Sequence, residues 1–190
     1  MKNAILSITF LFSTILLVQA QYDYSASKEF PYGKVNPAAP EQLKDYSQLI
    51  GSCDCKSTNR KQDGTWNEAV NMKWNWKYIL NGMAVQDESL KDDGAHSGSI
   101  RQYVADSSRW YVHWYSSKSP SSKFPVWEGN KKDNKIILYK EQKAPNGTDG
   151  FYRLTFYDIS EIGYKWAGEW VDKTEKIVYP TWKIECIRAK

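Results

Sequence analysis

The sequence predicts an all-β protein: an antiparallel up-and-down β-barrel of about ten strands, preceded by a short N-terminal arm and a helical turn. Three observations carry that prediction. Apolar and polar residues alternate with period two over long stretches after residue 50, as strands with one buried face require. Segments rich in Gly, Asn, Asp, Ser and Pro separate those stretches, as hairpin connections should. The chain of 190 residues also holds nine tryptophans and thirteen tyrosines, rings that suit half-buried strands better than a helical bundle. Such a meander must bury its apolar face on itself, as a barrel or a sandwich, and only closure removes the exposed edges.

The elements follow in order. Residues 1–20, "MKNAILSITFLFSTILLVQA", carry one lysine near the start, an apolar run, and Val18 and Ala20 before the expected cut. They read as a secretory signal peptide cleaved after Ala20. The small-residue end argues against a retained membrane anchor, and no later segment is apolar enough to span a bilayer. Residues 21–45 hold three of the seven prolines and no periodicity, so they read as a loosely attached arm. "PEQLKDYSQLIG" then supplies a helical turn that leads into a barrel spanning residues 46–190. Its first strand is expected at 48–56.

The clearest strand is 66–80, "WNEAVNMKWNWKYIL". Trp66, Glu68, Val70, Met72, Trp74, Trp76, Tyr78 and Leu80 fall on one face, and Asn67, Asn71, Lys73, Asn75 and Lys77 on the other. A strand separates these sets, whereas a helix would mix them. Further strands are expected at 82–90, 98–105, 109–117, 124–129, 134–142, 151–159, 162–171 and 176–188. Turn chemistry such as "APNGTDG" lies between them; its Asn146-Gly147 pair suits a hairpin better than it suits a glycosylation site.

Charge and cysteine content narrow the function. The net charge of +4 drops to +3 once Lys2 leaves with the signal peptide. Basic residues are scattered among acids, so the chain has no polyanion-binding patch and no nucleic-acid partner is expected. Cys53, Cys55 and Cys186 remain after cleavage. In an exported chain one of the first two is expected to bridge to Cys186, closing a loop worth roughly 4–5 kcal/mol in the chain-entropy model. Two histidines without ligand-like spacing to these cysteines argue against metal. No cofactor is expected. His113, in "RWYVHWY", shares a face with Tyr111 and Tyr115, and no Ser or Asp at recognisable spacing would serve it in acid–base work.

The order of motifs resembles a known family. "LIG", the tryptophan-rich strand, "ILNGMAVQDES", "SIRQYVADSSRWYVHWYSS", "VWEGNKKDNKIILYKE" and "FYRLTFYDISEIGYKWAGEWVDKTEKIVYPTWKIECIR" are similar to an uncharacterised bacterial lipocalin-like family, a domain of unknown function. The resemblance covers residues 46–188. It implies a calycin-type barrel with a ligand cavity, related in shape to fatty-acid-binding and nitrobindin-like proteins. In that family a G-x-W entry closes the barrel bottom and an arginine of the last strand lies across it. Here Cys53 replaces the tryptophan and Arg188 takes the arginine position, which implies a Cys53–Cys186 disulfide in place of the aromatic plug. A haem role would need a cavity-facing histidine, and the last strands contain none.

The expected function is therefore that of an exported, periplasmic or secreted binding protein for a small, partly apolar molecule, without stable membrane insertion. Trp66, Trp74, Trp76, Trp110, Trp114, Trp166, Trp170 and Trp182 share one parity in their strands and should face inward. The residues expected to line the site are Glu68, Met72, Trp74, Trp110, Trp114, Arg153, Tyr164 and Trp166, with Glu68 and Arg153 orienting the ligand. Asp87 shares a face with Val85; if buried, such an acid needs a partner, most often arginine. Two alternatives remain at this level. One is a hydrolase or isomerase on the same barrel; the other is an envelope module that binds carbohydrate or a partner through exposed tryptophans. No catalytic residue and no oligomeric state are assigned.

Overall fold

The computed structural model describes residues 22–189; the expected signal peptide lies outside them. Ten antiparallel strands form one closed barrel in sequence order, with the last pairing back to the first. They are β1 (Gly51–Asn59), β2 (Val70–Ile79), β3 (Ala84–Lys91), β4 (Ser97–Val104), β5 (Arg109–Ser116), β6 (Val126–Lys132), β7 (Lys135–Glu141), β8 (Gly150–Ser160), β9 (Gly163–Asp172) and β10 (Val178–Arg188). The fold class is the one that the alternation predicts. No helix of the described residues is long and apolar enough to cross a membrane.

Cross-strand register shows which side chains point inward. Met72 lies opposite Cys55, Trp76 opposite Asp87, Ser99 opposite Trp114, Phe156 opposite Trp166, and Trp166 opposite Ile184. Each of these pairs belongs to one continuous interior layer, because a strand returns to the same face every second residue. Bulges interrupt two ladders. The one in β10 falls at Pro180–Trp182, where a proline that cannot donate to a ladder is tolerated.

The N-terminal segment closes one end. A 3₁₀ helix, Glu41–Tyr46, buries Leu43 and Tyr46, and Leu49 follows into the core. The arm before it is held, not loose. Tyr78 N–H donates to the Tyr32 carbonyl at 2.8 Å, Asn36 N–H to the Gly82 carbonyl at 3.2 Å, and Tyr24 N–H to Asn81 Oδ1 at 3.0 Å. Gly82 makes this approach possible: its φ is +81°, and a Cβ there would sit 2.4 Å from the Lys34 carbonyl oxygen. The prolines that conceal a periodic pattern do not prevent the arm from pairing with the β2–β3 turn.

The predicted second strand begins too early. Trp66 makes only an isolated bridge to Arg60, and the regular ladder starts at Val70 opposite Ser57. Asn67 N–H bonds back to the Asn59 carbonyl at 2.9 Å, so residues 67–69 belong to the connection. Glu68 is consequently exposed and does not lie among the tryptophans, which corrects its expected place in the interior.

The disulfide joins Cys55 to Cys186, with Cα atoms 4.1 Å apart, and Cys53 is a buried free thiol. This corrects the Cys53–Cys186 pairing implied by the family resemblance. Register decides the matter: Cys53 lies opposite Arg188, and Cys55 opposite Cys186.

Candidate functional site

The interior divides into two regions with different hydrogen-bonding states. Toward the closed end, Trp74, Trp76, Trp110, Phe156, Tyr46 and Tyr164 form one aromatic cluster. Tyr46 meets Trp110 edge-on at 4.7 Å and stacks on Trp76 at 5.8 Å; Trp74 lies 5.7 Å from Phe156. Every indole here has an acceptor. Trp74 Nε1 donates to Asp87 Oδ2 at 2.7 Å, Trp76 Nε1 to Tyr164 Oη at 2.9 Å, and Trp110 Nε1 to Asp45 Oδ2 at 3.1 Å.

The charges in this cluster are matched as well. Asp87 and Arg101 are 4% and 3% exposed and form an ion pair through Arg101 Nη1 and Asp87 Oδ1. The guanidinium lies over the Trp76 ring, 4.3 Å from its centroid. Burial pushes the Tyr46 phenol up to about 12 and the Tyr164 phenol well above its ordinary value. Below them, Arg188 Nη1 donates to the Leu49 carbonyl at 3.1 Å and approaches Cys53 Sγ at 3.5 Å. Burial raises the Cys53 thiol, with Arg188 partly offsetting it, so this cysteine is a poor nucleophile. The closed end is a packed core in which every indole N–H has an acceptor, although the buried Tyr46 Oη and Arg101 Nε are left without a hydrogen-bond partner among the described residues.

Toward the open end the interior widens into a cavity of ≈ 240 Å³. Trp114 of β5, Trp127 of β6, Trp166 of β9 and Trp182 of β10 line it, together with Val112, Leu154, Tyr152, Ser99, Lys140 and Gln142. Trp166 and Trp182 meet edge-on at 5.0 Å. Lys140 Nζ sits 4.8 Å from the Trp127 ring centroid, and burial lowers the lysine below its ordinary pKa. Gly168 faces the same space; a Cβ there would come within 2.8 Å of the Trp166 ring.

Of the eight residues expected to line a site, Trp114 and Trp166 are the two that border this cavity. Met72, Trp74, Trp110 and Tyr164 are buried, three of them in the aromatic cluster already described. Arg153 points out of the barrel, which corrects its role as a ligand anchor. It bonds Glu169 Oε2 at 2.8 Å and Glu175 Oε2 at 2.5 Å across the outer wall. His113 lies opposite Ile100 and Val126, off the interior layer of Trp110, Val112 and Trp114.

The residues that sequence reasoning missed are Trp127, Lys140, Tyr152 and Trp182 as cavity walls, and Arg101 as the interior partner of Asp87. Val126-Trp127 lies in a short strand whose parity is hard to read alone. Lys140 looks like any surface lysine until its register partner, Tyr152, is seen to face inward.

A larger concavity, ≈ 990 Å³, is a groove on the outer wall of β1, β2, β9 and β10. Its charges pair with one another, Lys73 with Asp54 at 2.7 Å and Lys165 with Asp158 at 3.0 Å. Charged side chains of the outer face dominate its lining, whereas the interior cavity is walled mainly by rings with a few polar groups, the usual composition of a small-molecule site, so the interior cavity is the better candidate. Among the described residues no group of three or more His, Cys, Asp or Glu side chains converges as metal ligands would.

Comparison with known proteins adds the fold alone. No family model matches the chain, and no curated protein matches it. Among solved structures, it is similar to Rv2717c from M. tuberculosis, with a TM-score of 0.53 and 9% identity over 80% of this chain and 99% of that one. A protein of unknown function from the DUF3598 family of Nostoc punctiforme aligns over 79% of this chain and all of that one, at 6% identity and a TM-score of only 0.26. The class that fold and site define is an all-antiparallel ten-stranded barrel, closed at one end, with an aromatic cavity at the other.

Proposed function

We propose that this protein binds a small, partly apolar molecule in the open-end cavity of a lipocalin-like barrel. The observation that carries the reading is the cavity itself: four indoles, from four different strands, converge there without filling the space. Elsewhere in the same interior the rings pack to contact. Apolar walls with a few placed polar groups, here Ser99, Lys140 and Gln142, are the usual composition of a ligand pocket. The inward orientation of the tryptophans favours this reading over a module that binds through exposed rings. The protein is proposed to act after export, in the periplasm or outside the cell, where the Cys55–Cys186 bridge would persist.

Native mass spectrometry of the protein purified from an exporting host, without detergent, tests this. A reproducible added mass that disappears on denaturation is the expected result. The bare chain mass, together with no uptake of apolar probes in solution, would overturn it.

A further inference from the structure

The hydrogen-bond inventory of the cavity wall is unbalanced. Trp74, Trp76, Trp110, Trp127 and Trp182 all donate their indole N–H, the last two to the Tyr152 carbonyl at 3.1 Å and to Ser57 Oγ at 2.8 Å. Trp114 and Trp166, the other two indoles of the cavity wall, have no acceptor among the described residues. Lys140 is the third unmatched donor. Its depressed pKa has burial as its sole cause, with no carboxylate contributing. The other lysine near this mouth, Lys91, already has Asp93 at 3.9 Å. No Asp or Glu is among the residues that line the cavity.

Resting on the reading of this cavity as a ligand site, we infer that its ligand is an organic monocarboxylate, with the carboxylate against Lys140 and a compact apolar body among Trp114, Trp127, Trp166 and Trp182. A carboxylate has acceptor capacity for the ammonium and for both free indole N–H groups, and charge-assisted hydrogen bonds are the strong ones in a partly desolvated site. A neutral apolar molecule leaves all three donors unmatched, which costs affinity. A cationic ligand meets a like charge with no acid to offset it. One ammonium and two neutral donors on the wall of the same cavity balance a single negative charge, which favours a carboxylate over a phosphate dianion. An apolar cavity of roughly 150 Å³ takes benzene, so ≈ 240 Å³ suits a one- or two-ring acid or a short-chain fatty acid rather than a long lipid.

Three isosteric probes separate the possibilities: 2-naphthoate, 2-naphthalenemethanol and 2-naphthylmethylammonium, titrated calorimetrically into the full protein near neutral pH. The carboxylate should bind about tenfold or more tightly than the alcohol, and the cation more weakly than either. Lys140→Met should abolish the preference for the acid while keeping affinity for the alcohol, and Lys140→Arg should retain the preference. Equal affinity for acid and alcohol, or an unchanged preference in Lys140→Met, would overturn the inference and leave the cavity reading standing. Failure of all three probes to bind at roughly millimolar concentration would overturn both.

Discussion

At the closed end of the barrel Trp74, Trp76 and Trp110 each give their indole N–H to a buried acceptor, and Tyr46 fills the space between them. At the open end Trp114 and Trp166 come from the same face of the same kind of strand, yet they line a cavity and keep their donors free. The difference lies in what each end receives from outside the barrel. The closed end receives the 3₁₀ helix, whose Asp45 accepts the Trp110 N–H and whose Tyr46 ring fills the aromatic packing. The open end is met by hairpin connections, and of their residues Gln142 is the one that lines the cavity. Aromatic residues on one strand face therefore become core or binding site according to whether the chain supplies a plug.

The comparison is broken most severely through the buried ion pair. Asp87→Ala strands Arg101 and the Trp74 N–H inside the aromatic cluster, and should cost about 3–5 kcal/mol in denaturant unfolding. Replacing both partners, with Asp87→Leu and Arg101→Met, should recover most of that loss. A single variant that costs nothing would show that the ion pair does not hold this end of the core together.

Next in size is the bridge between first and last strands. Cys55→Ser, or reduction, should cost about 2–4 kcal/mol and fray the β1–β10 closure. One free thiol, Cys53, should titrate under denaturing conditions and be protected in the folded protein. Three free thiols would remove the disulfide.

Alkaline pH probes the closed end without mutation. Burial holds Tyr46 and Tyr78 at about 12, whereas in an unfolded chain they ionise near 10. The folded state thus binds more protons over that interval, and stability must fall as pH rises from about 10 to 12. For Tyr46 the loss is on the order of 2–3 kcal/mol. Difference absorbance near pH 11 should show exposed tyrosines ionised and these two not; simultaneous ionisation of all of them would contradict their burial.

The smallest effect sharpens the contrast directly. Trp74→Phe removes a hydrogen bond to Asp87 and should cost about 1–2 kcal/mol. Trp166→Phe, whose N–H is unmatched and whose ring borders a cavity, should cost about 1 kcal/mol or less. Equal losses would mean that the two ends are packed alike.

Ten strands, their order and most of their inward faces were legible in the sequence, because alternation with period two and the turn residues between strands are local properties. Asp87 was legible as an acid in need of a partner; Arg101 as that partner was not, since strand spacing alone does not say which residues lie opposite. The cysteine pairing shows the same limit. Cys53 and Cys55 share a face, so parity leaves either one free to meet Cys186, and only the register of β1 against β10 selects Cys55. That choice was within reach, for placing Arg188 opposite position 53 puts Cys186 opposite Cys55 in an antiparallel pair. Glu68 was misplaced because the alternation continues through residues that the hairpin removes from the ladder. Arg153 was misplaced because its acidic partners, Glu169 and Glu175, lie on the outer wall. By itself, then, the sequence determined the barrel and, within the regular ladders, most of the rings that turn inward. Only the tertiary structure decided their height along the barrel axis, and with it which rings are core and which form the cavity. A face repeats every two residues along a strand, but height depends on the stagger between strands and on where the plug inserts, and both are set by contacts distant in the chain.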